Sequence, residues 1–144
     1  MNKEEQDNLN QKLIEASKTN NLEQIKLLIS QGADIHAKND YALRLSAEKG
    51  YLEIVQYLVN NGANIHAQDD ETLRFSAYYG HLDVVKYFLF DCQMKIKQET
   101  KDWLLKNNKH ETLGLIEKRD LLFKLNQEII QNDSFDNLGK KVKI

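Results

Sequence analysis

The sequence predicts an all-α solenoid, built from about three helix–turn–helix units and closed by a degenerate helical cap. The main observation is a repeat: GADIHAKNDYALRLSAEKG starts at Gly32, and GANIHAQDDETLRFSAYYG starts thirty positions later at Gly62. A weaker copy, QKLIEASKTNNLEQIKLLISQGADIHA, starts at Gln11. The second observation is that apolar residues follow each glycine with helical spacing. A fixed period of this size is typical of stacked units that bury their apolar faces against one another.

Each copy divides into two short helices. In the second copy, Leu43 and Ala47 lie four residues apart and therefore share one face of the first helix. We expect Asp40 to cap the N-terminus of this helix and Gly50 to end it in a left-handed conformation. The second helix then runs to Gly62. Its expected inner row is Leu52, Val55, Leu58 and Val59, and the third copy repeats the pattern at Asp70, Leu73, Ala77 and Gly80.

The predicted domain is a single one covering residues 1–144. We assign 11–40 to unit one with the N-terminal cap, 41–70 to unit two, 71–97 to unit three, 98–131 to a degenerate repeat and C-terminal cap, and 132–144 to a flexible tail. The sequence of the cap predicts two further helices. Its apolar side chains are expected to bury against unit three: Trp103, Leu104, Leu113, Ile116, Leu121, Leu122, Leu125 and Ile129.

The segments LLISQGADIHA, YLEIVQYLVNNGANIHA and GHLDVVKYFL resemble the second helix and following loop of the ankyrin repeat family. The resemblance covers about 11–92. It implies units stacked side by side, loops projecting from one edge, and a concave face that binds other proteins. The family unit is about 33 residues long and carries T-P-L-H at its first helix. Here the period is 30, and the corresponding residues read Tyr41-Ala42-Leu43-Arg44 and Glu71-Thr72-Leu73-Arg74. Short units of this type are similar to the ankyrin arrays of giant amoeba-infecting DNA viruses, which implies a viral protein in the host cytoplasm.

Composition narrows the classes of function. The chain has 20 basic and 22 acidic residues and a formal net charge of −2, a balance that predicts no general attraction to nucleic acid or anionic membranes. The N-terminal ten residues are polar and acidic, unlike a signal peptide, and no apolar run approaches the roughly 20 residues that span a bilayer. We therefore expect an intracellular protein, and we favour a monomer over a homo-oligomer.

Catalytic motifs are missing from the sequence. We find no glycine-rich phosphate loop, nucleophile elbow or paired-carboxylate motif, so we expect no enzymatic activity and no cofactor or metal. His36 and His66 occupy equivalent loop positions, but equivalent side chains of stacked units lie roughly 8–10 Å apart, too far to share a zinc ion. We expect both to bond loop backbone. Cys92, the only cysteine, is either a buried thiol or a reactive one. The basic residues at 140–143 suggest either a solubilising tail or a short targeting tag.

Arginine is rare, and two of the three arginines, Arg44 and Arg74, occupy the same position of successive units. One interpretation is structural: the planar guanidinium would tie neighbouring loops together, Arg44 through Asp70 or Glu48, and Arg74 through Asp70 or Glu71. The alternative is functional, with both arginines contacting an acidic partner.

Two adjacent tyrosines, Tyr78 and Tyr79, precede Gly80 on the side that is concave in the family. At least one ring must be partly exposed, and tyrosine is favoured at the centre of protein interfaces. The alternative is that they pack on the C-terminal cap. The predicted partner-binding residues are Tyr41, Arg44, Glu48, Lys49, Glu71, Arg74, Tyr78 and Tyr79. The alternative function is structural: the chain associates with itself or forms part of a larger assembly, with Tyr57 and Tyr87 as the candidate contacts.

Overall fold

The computed structural model describes the backbone of residues 1–141 and the side chains of residues 1–134. The prediction of an all-α fold is confirmed, since this part of the chain contains helices and turns and no strand. The helices are α1 (Lys3–Lys18), α2 (Leu22–Ser30), α3 (Ala37–Lys49), α4 (Leu52–Asn60), α5 (Ala67–Tyr78), α6 (Leu82–Lys86), α7 (Gln98–Lys106) and α8 (His110–Lys141). A π-helical turn, Tyr87–Asp91, directly continues α6.

The units stack through their first helices. α1, α3, α5 and α7 pack in succession, while α2, α4 and α6 each pack on the first helix of their own unit. Ser17, Ser46 and Ser76 are fully buried in the first helices, where each hydroxyl donates to a backbone carbonyl of the same helix. The largest fully buried side chains form one continuous core: Leu13, Ile25, Leu28, Leu43, Ile54, Leu58, Leu73, Phe88, Leu89, Met94, Leu104 and Ile116.

The predicted helix ends are confirmed at the first helices. Gly50 and Gly80 are left-handed, with φ of 74° and 79°. At the second helices, Gly62 has the same role, with φ of 96°. Unit three differs because the π-helical turn adds one residue, which moves the left-handed residue from Cys92 to Gln93, with φ of 50°.

A turn of three consecutive left-handed residues precedes the regular part of α3. Lys38, Asn39 and Asp40 have φ of 53°, 58° and 56°, and Gln68–Asp70 repeat the turn before α5. Side chains other than glycine cost about 1 kcal/mol or more each in this region, so the surrounding structure must stabilise the turn.

The expected capping role of Asp40 is wrong. Its backbone is left-handed, whereas an N-cap residue is typically extended. Its carboxylate instead accepts a hydrogen bond from the backbone N–H of Asn64, 2.8 Å away in the loop of the same unit that leads to unit three. Asn10 makes the equivalent bond to the N–H of Asp34 at 2.7 Å. In units one and two, this position therefore fastens the first helix to the loop that follows the second helix. The equivalent Asp70 instead bonds the hydroxyl of Thr100.

The segment predicted to be the C-terminal cap contains α7 and the first part of α8, and only part of its predicted burial is correct. Leu104 and Ile116 are buried, and Trp103 and Leu113 are half-buried. The other four predicted side chains are exposed: Leu121, Leu122, Leu125 and Ile129. They are exposed because α8 continues beyond the body of the repeats. Its last side-chain bonds to that body are from Arg119, whose guanidinium donates to the carbonyl of Met94, and from Asp120, which pairs with Lys101 of α7.

The backbone beyond residue 131 also differs from the expected loose tail, because α8 continues to Lys141. The chain has no proline, and no glycine lies between Gly114 and Gly139, so nothing in this stretch breaks a helix. The basic cluster at 140–143, suggested as a targeting tag, lies entirely outside the residues whose side chains the structure describes. Within residues 1–141, no helix combines the length and the apolar character that crossing a membrane requires.

Candidate partner-binding surface

Arg44 holds the left-handed turn of its own unit. Its Nε donates to the carbonyl oxygen of Asn39 at 2.9 Å, and its Nη2 donates to that of Lys38 at 3.1 Å. Two parallel donors on one rigid plane match two successive carbonyls, a match that the single ammonium of lysine cannot reproduce. The turn therefore explains why this position carries arginine in a chain that otherwise prefers lysine.

The outer nitrogen of Arg44 is also engaged. Nη1 forms an ion pair with Glu71 on α5, and the guanidinium lies over the ring of Tyr41, 5.0 Å from its centroid. Both charged side chains are largely covered, with 14% of Arg44 and 18% of Glu71 exposed. The predicted partners Asp70 and Glu48 are wrong, because the carboxylate that reaches Arg44 is that of Glu71. Arg44 is thus committed to the contact between units two and three.

Arg74 repeats the first half of this arrangement. Its Nε donates to Asp69 at 3.0 Å and its Nη2 to Gln68 at 3.1 Å, both at carbonyl oxygens. The second half is absent: among the described side chains, no carboxylate lies within 4 Å of Arg74. The predicted partners are used elsewhere, since Glu71 pairs with Arg44 and Asp70 is buried with its own partners.

Trp103 of α7 stacks on Arg74, as Tyr41 stacks on Arg44. The guanidinium of Arg74 lies over the tryptophan ring, 5.3 Å from the centroid. A groove of about 450 Å³ opens beside this pair, lined also by Lys97, Thr100 and the acidic residues Asp69 and Glu99. The outer edge of Arg74 thus faces an open and electrostatically mixed groove, whereas that of Arg44 is closed.

An aromatic patch, formed by Tyr78, Tyr79 and Trp103, adjoins this groove. The two tyrosine rings are T-shaped at 5.1 Å, and Tyr78 lies 6.2 Å from Trp103 between ring centroids. Tyr78 and Tyr79 are 49% and 55% exposed. Lys109 sits 4.8 Å from the centroid of Tyr78 and donates to its backbone carbonyl at 2.8 Å. Tyr78 therefore contacts the cap and still keeps about half of its surface open to solvent.

The structure thus brings together Arg74, Tyr78 and Tyr79 of the predicted set. Glu48 is half-buried and Lys49 is exposed, but Tyr41 and Glu71 are occupied by Arg44. Sequence reasoning missed Trp103 and Lys109 as members of the surface. Both lie in the degenerate fourth unit, where the repeat no longer supplies a register; the available signal was that Trp103 is the only tryptophan.

The two histidines bond carboxylates and not loop backbone, which corrects the prediction. Nδ1 of His36 lies 2.9 Å from Asp40 Oδ1, and Nδ1 of His66 lies 2.6 Å from Asp70 Oδ1. The second oxygen of Asp70 accepts from the hydroxyl of Thr100 at 2.9 Å, so this buried carboxylate ties unit three to α7. Within the described residues no three metal-binding side chains come together.

The remaining candidates are mostly enclosed. Cys92 is half-buried, and burial raises the pKa of its thiol, which keeps it protonated and weakly nucleophilic at neutral pH. Tyr87, one of the two tyrosines considered for self-association, is buried, and burial likewise raises the pKa of its hydroxyl. Tyr57 is half-buried, with the Lys26 ammonium 5.8 Å from its ring centroid. Neither tyrosine forms an open convex surface.

Comparison with known proteins agrees with this architecture. The family model described as ankyrin repeats (3 copies) matches residues 13–102, more than half of the chain. A Rickettsia felis protein named for ankyrin repeats is 42% identical over 55 residues, which are 36% of this chain and 87% of that protein. The repeat period, the left-handed glycines, the stacked first helices and the family match lead to one conclusion: this chain belongs to the ankyrin repeat family.

Proposed function

We propose that this protein is a non-enzymatic interaction module, an adaptor or scaffold, that binds a protein partner on the concave face of its first helices and loops. Ankyrin repeats are in general protein-binding modules. The observation that carries the proposal is the meeting of the aromatic patch with the open edge of Arg74 at the junction of unit three and the cap. Tyrosine, tryptophan and arginine are the residues that most often dominate binding energy at interfaces.

The partner proposed for this surface presents an acidic side chain next to apolar or aromatic ones. Glu71 shows how a carboxylate meets the outer edge of Arg44, and a partner carboxylate would meet Arg74 in the same way. Asp69 and Glu99 line the same groove, and their carboxylates would repel the carboxylate of the partner. We therefore expect Glu99→Gln to strengthen binding and Arg74→Ala to weaken it.

The chain's balanced charge supports a protein partner over nucleic acid or a membrane surface. We place the protein inside the cell, since its single cysteine can form no disulfide within the chain. The resemblance of the short units to viral ankyrin arrays stays a prediction.

Site-specific cross-linking tests the proposal. A photoreactive phenylalanine analogue is placed at Tyr79 in one sample and at Glu53, exposed on α4, in the control. Illumination in cells that produce the protein should attach a discrete polypeptide at position 79 and not at position 53. Cross-linking from position 53 alone would move the binding surface to the second helices.

The partner identified in this way then allows affinity to be measured. Replacing Tyr78 and Tyr79 together with Ala should weaken binding roughly thirtyfold or more, since truncating a central anchor costs about 2 kcal/mol or more. Circular dichroism must show that the variant remains folded, because Tyr78 also touches Trp103. A folded variant with unchanged affinity would contradict the proposed surface.

A further inference from the structure

The middle of α8, residues 121–130, exposes an unusual number of large apolar side chains. Six of them, within ten residues, are between 44% and 65% exposed: Leu121, Leu122, Phe123, Leu125, Ile129 and Ile130. Together they present on the order of 500 Å² of apolar surface, and the larger part of it lies on one side of the helix. So much exposed apolar surface on one helical segment indicates a binding surface.

Four of these side chains form one stripe, which we call the outer row: Leu121, Leu122, Leu125 and Ile129. At 3.6 residues per turn they fall within an arc of about 100°. Thr112 and Ile116, the buried residues of α8, face the body of the repeats, and the outer row is centred roughly 140° away from them around the helix. The outer row therefore points away from the body, and another helix can approach it without meeting the repeats.

We propose that the outer row binds the outer row of a second copy of this chain, with the two helices antiparallel. The charges at its ends support this arrangement. Lys118 lies one turn before the row and Asp133 one turn after it; both are exposed, and neither forms an ion pair among the described side chains. In an antiparallel pair centred between Leu125 and Asn126, Leu122 faces Ile129 of the second copy and Lys118 faces its Asp133, twice over by symmetry.

A parallel pair is disfavoured for two reasons. It would place Lys118 beside Lys118 and Asp133 beside Asp133, so both ends of the row would repel. It would also bring both repeat bodies to the same end of two helices whose axes are only about 8–10 Å apart. The antiparallel pair puts the bodies at opposite ends and leaves both aromatic patches available.

The expected affinity depends on the size of the row. The four side chains of the outer row supply about two thirds of the exposed apolar surface of residues 121–130, so two copies would bury roughly 600–700 Å² of it. The flanking polar side chains would bring the total close to the roughly 1,000 Å² that is the lower limit of specific interfaces. The dimer should therefore dissociate at concentrations on the order of micromolar and be detectable as a concentration-dependent equilibrium. The sequence favoured a monomer, but it did so while assigning these side chains to the core.

Sedimentation velocity on the full chain, from about 1 to 200 μM, tests the pairing across the concentration range expected for so small an interface. The proposal predicts a monomer–dimer equilibrium that Leu125→Glu shifts at least tenfold towards monomer, because a carboxylate would meet its own copy near the symmetry axis. Phe123→Glu is the matched control, since it removes as much exposed apolar surface from the opposite side of the helix and should leave the equilibrium unchanged. A wild-type chain that stays monomeric throughout this range overturns the proposal, as does a dimer that persists in Leu125→Glu.

Charge exchange tests the antiparallel orientation. Lys118→Asp alone and Asp133→Lys alone should each weaken the dimer, because each sets like charges against each other. An equimolar mixture of the two variants should form heterodimers, since one chain then carries Asp at both positions, the other carries Lys at both, and every Asp faces a Lys. Both substitutions lie on exposed residues, so folding is not at risk. If the single variants dimerise like the wild type and the mixture gains nothing, the antiparallel pairing is wrong.

Discussion

Arg44 and Arg74 occupy the same position of successive units and make the same two bonds to the left-handed turn before their helix. They differ in the neighbours that they meet further along the stack. Arg44 meets Glu71 of the next unit and is closed, whereas Arg74 meets Trp103 of the cap and an open groove. A repeated residue can thus serve the fold in every unit and still be available to a partner in only one of them, where the repeat ends.

The glycines that end the first helices show the same contrast. Gly50 is covered by unit three, so that an added Cβ would lie 2.6 Å from Cγ of His81. Gly80 has the same left-handed backbone, but a Cβ there would meet nothing within 4 Å. The contact between units two and three, which we call the inner junction, is thus packed at both the arginine and the glycine. The contact between unit three and α7, which we call the outer junction, is open at both.

The largest expected effect comes from removing the outer junction. Ending the chain after Phe90 deletes α7 and α8 and uncovers core residues such as Leu73 and Leu89. Because a solenoid needs a terminal unit with a polar outer face, this fragment should aggregate or unfold without cooperativity. Thermal unfolding followed by circular dichroism measures the outcome.

A chain that ends after Asp120 is the matched control, because it keeps Leu104 and Ile116 and loses only the exposed half of α8. It should unfold cooperatively. If the fragment 1–90 is soluble and cooperative as well, residues 98–131 are a separate element and not the cap of the stack.

The next largest effect separates the two buried aspartates, Asp40 and Asp70. Asp70→Ala leaves the buried Thr100 hydroxyl and the His66 ring without their shared partner, and should lower the free energy of unfolding by about 2–3 kcal/mol. Asp40→Ala releases the Asn64 N–H and the His36 ring, both of which belong to exposed residues, and should cost about 1–2 kcal/mol. Urea denaturation measures both values, and a larger loss at Asp40 would show that the bond between Asp70 and Thr100 adds little to stability.

A smaller effect distinguishes the two glycines. Alanine at a left-handed glycine costs about 1 kcal/mol, so Gly80→Ala should lose about that much stability. Gly50→Ala should lose about 2 kcal/mol, since the His81 ring must also move. Thermal or urea denaturation of the two variants measures the difference. Equal losses at the two positions would mean that the His81 ring moves aside without cost, and therefore that the inner junction is loosely packed at Gly50.

Sequence was sufficient for the parts of the fold that repeat. The period predicts the helices of units one to three, and Gly50 and Gly80 mark the ends of their first helices because a left-handed residue is what stops a helix there. The turn at 38–40 escapes prediction since none of its residues is glycine, the residue that normally signals this conformation. For the same reason the sequence wrongly predicts a helix cap at Asp40.

The candidate site was only half predictable. Arg74, Tyr78 and Tyr79 stand out by their place in the repeat, but their neighbours Trp103 and Lys109 come from a segment in which the repeat has decayed. The predicted arginine partners are wrong because sequence distance does not reveal which carboxylate a buried contact has already taken. The residues of the outer row have the spacing of a buried face, and spacing cannot show that the helix has left the core.

The most direct test of the difference between the two arginines compares Arg44→Ala and Arg74→Ala in two measurements on the same samples: the free energy of unfolding and the affinity for the partner captured at Tyr79. We expect Arg44→Ala to lower stability more, because it also breaks the covered pair with Glu71, and to leave affinity nearly unchanged. Arg74→Ala should weaken binding tenfold or more, since a hydrogen-bonded charge at an interface contributes about 1.5–3 kcal/mol, while costing less stability. The opposite pattern, with affinity lost at Arg44 and retained at Arg74, would contradict the assignment of the open junction as the binding surface.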